Sequence, residues 1–155
     1  MWGDVNMKNE TLLSVAKALL ESQPNEVAIL SNASAFLYES FDRINWVGFY
    51  LFDGNQLTVG PFQGKVACAE IPLGKGVCGE AAIRKMTMVV KDVHEHPNHI
   101  TCDENSRSEV VVPIYINNKL YGVLDVDSPI VDRFDPETVA FFEQFVNLFI
   151  KTIDI

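Results

Sequence analysis

The stretch Glu109-Val110-Val111-Val112-Pro113-Ile114-Tyr115-Ile116-Asn117-Asn118-Lys119-Leu120-Tyr121-Gly122-Val123-Leu124-Asp125-Val126-Asp127 decides the fold. Two apolar runs, Glu109–Ile116 and Leu120–Asp127, flank Asn117-Asn118-Lys119, and asparagines tolerate the backbone angles of a tight hairpin turn. A connection this short joins antiparallel neighbours, because a parallel pair needs a crossover of about a dozen residues or more. Upstream, Ile44–Phe52 is too aromatic for a surface helix; the turn Asp53-Gly54-Asn55 and a strand-like Gln56–Phe62 follow it, making a second hairpin. Amphipathic helical patterns open the chain over Met7–Glu21 and Asn25–Phe41. A short helix is expected over Gly76–Lys85 and a strand over Met88–Val93. The last helix begins with Asp135 as its cap and Pro136 in its first turn, and runs to about Ile153. This order predicts an α+β domain, a central antiparallel sheet with flanking helices.

With 155 residues and no Pro/Gly/Ser-rich linker, the chain reads as one domain, 1–155. A net charge of −9 without lysine or arginine clusters argues against a nucleic-acid or anionic-membrane partner. Met1-Trp2-Gly3-Asp4-Val5-Asn6 has neither the basic nor the apolar region of a secretory leader, and no apolar run is long enough to span a bilayer. The expectation is a cytoplasmic protein. In that reducing compartment three cysteines point to catalysis, metal binding or inert burial before a structural disulfide framework.

Cys102 lies in the long polar segment His94–Ser108, where a thiol can meet a substrate, a metal or another thiol. Gly74-Lys75-Gly76-Val77-Cys78-Gly79 satisfies the dinucleotide pattern G-x-G-x-x-G, but that pattern needs a parallel strand–helix–strand unit, which the hairpins oppose. The glycines instead suggest a sharp turn that sets Cys78 in the first turn of a helix, where the dipole favours a thiolate; simple packing of the helix is the other reading. Cys68 reads equally as a structural residue or a reactive one. His94, His96, His99 and Cys102 can be drawn as a zinc set, yet no second ligand pair accompanies them, so solvated imidazoles and no metal are expected. Asp125 and Asp127, two apart on a strand, share a face, where mutual repulsion raises one pKa unless the strand runs out into solvent. Trp46 and Tyr50 also share a face, as core or as pocket wall.

Taken together, Asn45–Tyr50, Gly60–Cys68, Ile71–Gly79, Asp92–His94, His99–Asp103, Ser108-Glu109 and Gly122–Ser128 resemble, in colinear order, the free methionine-(R)-sulfoxide reductases, which are built on a GAF domain. The resemblance implies reduction of free L-methionine-(R)-sulfoxide without a cofactor. It implies Cys102 as nucleophile, Cys78 as the thiol that resolves its sulfenic acid, Cys68 as an auxiliary thiol, and thioredoxin as reductant. It also places Glu109, Asp125 and Asp127 around the sulfoxide and the substrate amino group, with Trp46 and Tyr50 as pocket walls, and leaves open which acid gives the proton. The segment His94–Ser108 is expected to be a mobile active-site loop, and a homodimer is compatible with the sequence. The alternative of another class is a GAF domain that senses a small molecule without turning it over, which has no need of paired thiols.

Overall fold

The computed structural model describes residues 5–153. Residues 1–4, which carry most of the leader reading, and residues 154–155 lie outside the described residues.

Helices α1 (Val5–Glu21) and α2 (Glu26–Ser40) precede a hairpin of β1 (Trp46–Phe52) and β2 (Leu57–Gly64). A two-residue strand β3 (Glu70–Ile71) and helix α3 (Gly76–Arg84) follow, then β4 (Met88–Val90), β5 (Ser108–Ile116), β6 (Lys119–Ser128) and α4 (Pro136–Ile153). The strands form one sheet in the order β3-β2-β1-β6-β5-β4, every neighbouring pair antiparallel. This is the expected α+β architecture, and the two hairpins sit where the sequence put them. Asn117 and Asn118 both take positive φ, 52° and 63°, which matches the right-handed twist of the strands they join. Capping fixes the helix starts: the Asn25 side chain accepts from the Ala28 amide at 2.9 Å, and Asp135 accepts from the Thr138 amide at 2.9 Å. Two details differ from the sequence expectation. Strand β4 ends at Val90, because Val93–Glu95 turns into a short 3-10 segment, and β3 exists only through long-range pairing with Leu57 and Thr58.

Alternation along the strands divides the side chains between two cores. Val47 and Phe49 of β1, Val110, Val112 and Ile114 of β5, and Leu124 and Val126 of β6 face α1, α2 and α4, where they meet Phe141, Phe142, Phe145 and Phe149. These large side chains are fully buried, each contributing roughly 1.5–3 kcal/mol relative to exposure. The opposite face carries Trp46, Tyr50, Val111 and Val123 and is covered by α3 through Val77, Cys78, Ala81 and Ala82. The Tyr115 hydroxyl ties α3 to β5 by donating to the Ala82 carbonyl.

That second face also holds Glu109, Asp125 and Asp127. The register places Trp46 opposite Asp127 and Asp127 opposite Glu109, a row across three central strands, with Gly48, Asp125 and Val111 in the row beside it. Among the described residues no helix is long and apolar enough to cross a membrane.

Candidate active site

The acids Glu109, Asp125 and Asp127 are 7 %, 5 % and 9 % exposed, so the strand does not carry the aspartates out into solvent. They line a cavity whose other walls come from Trp46 and Tyr50 of β1, from Val77 and Cys78 of α3, and from the polar segment through His99, Ile100, Cys102 and Asp103. Among the described residues no lysine or arginine lines it. Burial raises the pKa of all three acids well above ordinary values, and the acids reinforce the shift in one another: Asp125 acts on Glu109, Asp127 on Asp125 and Glu109 on Asp127. Burial and mutual repulsion thus bias the cluster toward its protonated forms. One oxygen of Asp125, Oδ1, is buried without a hydrogen-bond partner, an arrangement that favours a cationic or donor ligand.

The aromatic wall does two things. Trp46 stacks on Tyr50 at 5.7 Å between ring centres and on Phe62 at 5.0 Å. Their polar tips hold the segment that follows β2, since Trp46 Nε1 donates to the Lys65 carbonyl at 3.2 Å and the Tyr50 hydroxyl donates to the Cys68 carbonyl at 3.1 Å. Burial first, and then the nearby acids, push the Tyr50 pKa upward, so its hydroxyl stays protonated. Trp46 and Tyr50 are thus both core and pocket.

Cys102 is bonded to Cys68, with Cα atoms 5.4 Å apart, within the ordinary range for a disulfide. The pairing differs from the one the resemblance implied, in which Cys78 was the partner. Cys78 is a free, buried thiol, with its Sγ 4.0 Å from Glu109 Oε2. Its expected thiolate character is also overturned. Cys78 does sit in the first turn of α3, but a helix terminus supplies only about 0.3–1 kcal/mol, whereas full burial can shift a pKa by roughly 3–5 units at about 1.4 kcal/mol each. Burial, then Asp125 and Glu109, push the Cys78 pKa well up, and the group is a thiol. The glycines around it serve packing: a side-chain carbon on Gly79 would lie 2.6 Å from the Pro72 carbonyl oxygen, and Gly74 and Gly76 adopt positive φ. With neither flanking strand parallel, the dinucleotide pattern has no unit to act in.

The segment from His94 to Ser108 is pinned at several points. His96 Nε2 meets Glu80 Oε1 at 2.7 Å, and Asn98 Nδ2 donates to Glu80 Oε1 and to the Gly74 carbonyl, both at 2.9 Å. Ile100 packs over Gly76. Asn45 Nδ2 donates to Asp103 Oδ2 and to Ser106 Oγ at 3.0 Å. The loop thus has an apolar anchor and a polar one, neither expected from its composition. Asn45 was missed as a site residue because its partners lie 58 and 61 residues away and leave no local signal. The histidines do not converge: His96 is engaged with Glu80 on α3, while His99 faces the cavity. Burial first, then His96 and His94, lower the His99 pKa, so this imidazole is neutral and offers no positive charge to a Cys102 thiolate. Among the described residues, the side chains that could jointly hold a metal ion are instead Cys78, Glu109 and Asp125.

Reduction of the disulfide removes one tie while His96 and Asn98 keep theirs. Hydrogen exchange of the amides from Ile100 to Ser106 is therefore expected to accelerate on reduction, with β5 unchanged. Equal acceleration in β5 would mean that the disulfide supports the whole sheet and not the loop.

The GAF domain family model matches residues 17–153. The free methionine-R-sulfoxide reductase of Escherichia coli is 46 % identical over 129 residues, covering 83 % of this chain and 78 % of that protein. The chain belongs to the GAF-domain family of free methionine-R-sulfoxide reductases. Among solved structures, the fRMsr of Staphylococcus aureus in its reduced form is 50 % identical, with a TM-score of 0.90 and 94 % of each chain covered. The free methionine-R-sulfoxide reductase of Neisseria meningitidis, solved in complex with its substrate, is 38 % identical with a TM-score of 0.93, covering 98 % of this chain and 92 % of that one. In this chain the cavity joins the buried acids to the Cys68–Cys102 disulfide.

Proposed function

We propose that the chain acts as one GAF domain that reduces the R epimer of free L-methionine sulfoxide to methionine. The observation that carries this reading is the Cys68–Cys102 disulfide set on the cavity lined by Glu109, Asp125 and Asp127. The Cys102 thiolate attacks the sulfoxide sulfur while one of the protonated acids transfers its proton to the oxygen. The protonated oxygen then passes from the substrate sulfur to the Cys102 sulfur as the S–O bond and the new S–S bond break. The sulfoxide is thereby reduced to methionine, which leaves, and Cys102 is oxidised to a sulfenic acid. The Cys68 thiol then attacks the Cys102 sulfur, forming the disulfide and releasing water. An external dithiol, with thioredoxin as the expected donor, returns both cysteines to thiols.

The substrate's ammonium group suits the acid cluster, which has no cationic side chain beside it, and its methylthio end suits the Trp46–Tyr50 wall. Cys78 takes no electrons in this sequence; its thiol fills the floor of the cavity among the acids. Burial under the loop favours a free amino acid over a sulfoxide within a polypeptide. Free L-methionine-R-sulfoxide, its S epimer and a peptide-bound sulfoxide, each supplied with a thioredoxin system, are expected to give NADPH oxidation with the free R epimer alone. Equal rates on the peptide would refute the assignment, and binding without turnover would favour the sensor reading.

A further inference from the structure

We propose that Cys78, Glu109 and Asp125 form a binding site for one thiophilic divalent cation of the zinc or cadmium class, and that its occupation excludes the amino-acid substrate. The ligand atoms of these three residues, one sulfur and two carboxylate oxygens, all lie within 4.8 Å of one another, and each of the residues is buried. The Cys78 Sγ to Glu109 Oε2 separation is 4.0 Å. Bond lengths of about 2.3 Å to sulfur and 2.0–2.2 Å to carboxylate oxygen put tetrahedral ligand atoms roughly 3.5 Å apart, so closure of any pair by at most about 1.3 Å would complete the set.

A second observation points to a ligand here. Asp125 is 5 % exposed and its Oδ1 has no hydrogen-bond partner, although the side chain lines the cavity. A buried, unpartnered carboxylate oxygen beside a thiol, in a cavity without lysine or arginine, is stabilised by a cation. Sulfur in the set selects zinc or cadmium over magnesium or calcium, which prefer oxygen alone. Three protein ligands would leave a fourth position for a water molecule. Ile100 and Cys102 line the same cavity.

Binding exchanges protons for metal: the Cys78 S–H and any protonated carboxyl release their protons to solvent as the metal–sulfur and metal–oxygen bonds form, with no change of oxidation state. Because the disulfide uses Cys68 and Cys102, Cys78 stays available in the oxidised protein. The site therefore exists in both redox forms.

The test uses oxidised, chelator-treated full-length protein titrated with cadmium chloride, followed by the ultraviolet charge-transfer absorption of a cadmium–thiolate bond and by calorimetry. A band that saturates at one equivalent, is bleached by zinc, and is weakened competitively by free methionine sulfoxide is expected. Cys78→Ser and Cys78→Ala should lose the band, and Asp125→Asn, which keeps the thiol, should bind at least tenfold more weakly. Circular dichroism confirms the fold of each variant, and competition by methionine sulfoxide tests the site in the unaltered protein. No band in the unaltered protein, a band surviving in both Cys78 variants, or affinity indifferent to Asp125→Asn and to methionine sulfoxide would overturn the proposal. Turnover enters none of these readings, so failure here leaves the reductase assignment standing, and failure of reductase activity leaves the metal site standing.

Discussion

Cys102→Ser is expected to release no methionine from the free R-sulfoxide, even in one turnover without reductant, a loss of about 10⁴-fold or more, as when a covalent nucleophile is removed elsewhere. A serine hydroxyl is a far weaker nucleophile toward sulfoxide sulfur than a thiolate, and no remaining thiol is equivalent. Cys68 lies on the segment held by Trp46 and Tyr50. Cys78 is kept protonated by burial and by the acids around it. Quantifying methionine after mixing reduced variant with excess substrate checks this directly. Retention of a stoichiometric burst would mean that the attacking sulfur belongs to another cysteine.

Replacing the acids with amides is expected to have the next largest effect. Among Glu109→Gln, Asp125→Asn and Asp127→Asn, at least one should slow the first turnover by roughly 10²–10⁴-fold, the range supplied by a positioned general acid. The same changes should stabilise the fold at neutral pH. Each acid has a folded pKa raised above its ordinary value, 4.5 for Glu109 and 3.8 for the aspartates. Its favourable contribution is therefore complete below those ordinary values and is lost as pH rises toward the folded pKa. An amide of the same shape takes up no proton. Thermal melting of the amide variants should accordingly exceed that of the parent protein by a margin that grows from acidic to neutral pH, at about 2–4 °C per kcal/mol for a chain of this size. If all three variants keep the parent rate, proton transfer comes from elsewhere; if none gains stability, the acids are ionised and paired in the folded protein.

Much of the fold was legible because its signals are local. The period-two alternation of Val110, Val112 and Ile114 against Glu109 and Val111, together with Asn117-Asn118, specifies both a hairpin and its buried faces. The caps Asn25 and Asp135 act within three residues of themselves. Strand β3 had no such signal, since two residues acquire strand geometry only by pairing with Leu57 and Thr58.

The site was legible in its members and less so in its connections. Glu109, Asp125, Asp127, Trp46, Tyr50, Cys68, Cys78 and Cys102 do converge on one cavity or its rim, but which thiols pair depends on approach across 34 residues of sequence. The thiolate reading of Cys78 weighed the helix terminus without the buried carboxylates that face it, because those come from β5 and β6. Asn45, which ties the Cys102 loop to the start of β1, is an ordinary loop asparagine until Asp103 and Ser106 are brought to it.

One measurement bears most directly on the thiol chemistry. Fully reduced protein is mixed with free L-methionine-R-sulfoxide in the absence of reductant, quenched in denaturant with an alkylating agent, and digested for peptide mapping alongside methionine quantitation. The expected result is a single methionine per chain, the Cys68 and Cys102 peptides joined by a disulfide, and Cys78 alkylated. Methionine release accompanied by a Cys78–Cys102 link, or a Cys68–Cys102 link formed with no methionine released, would contradict it.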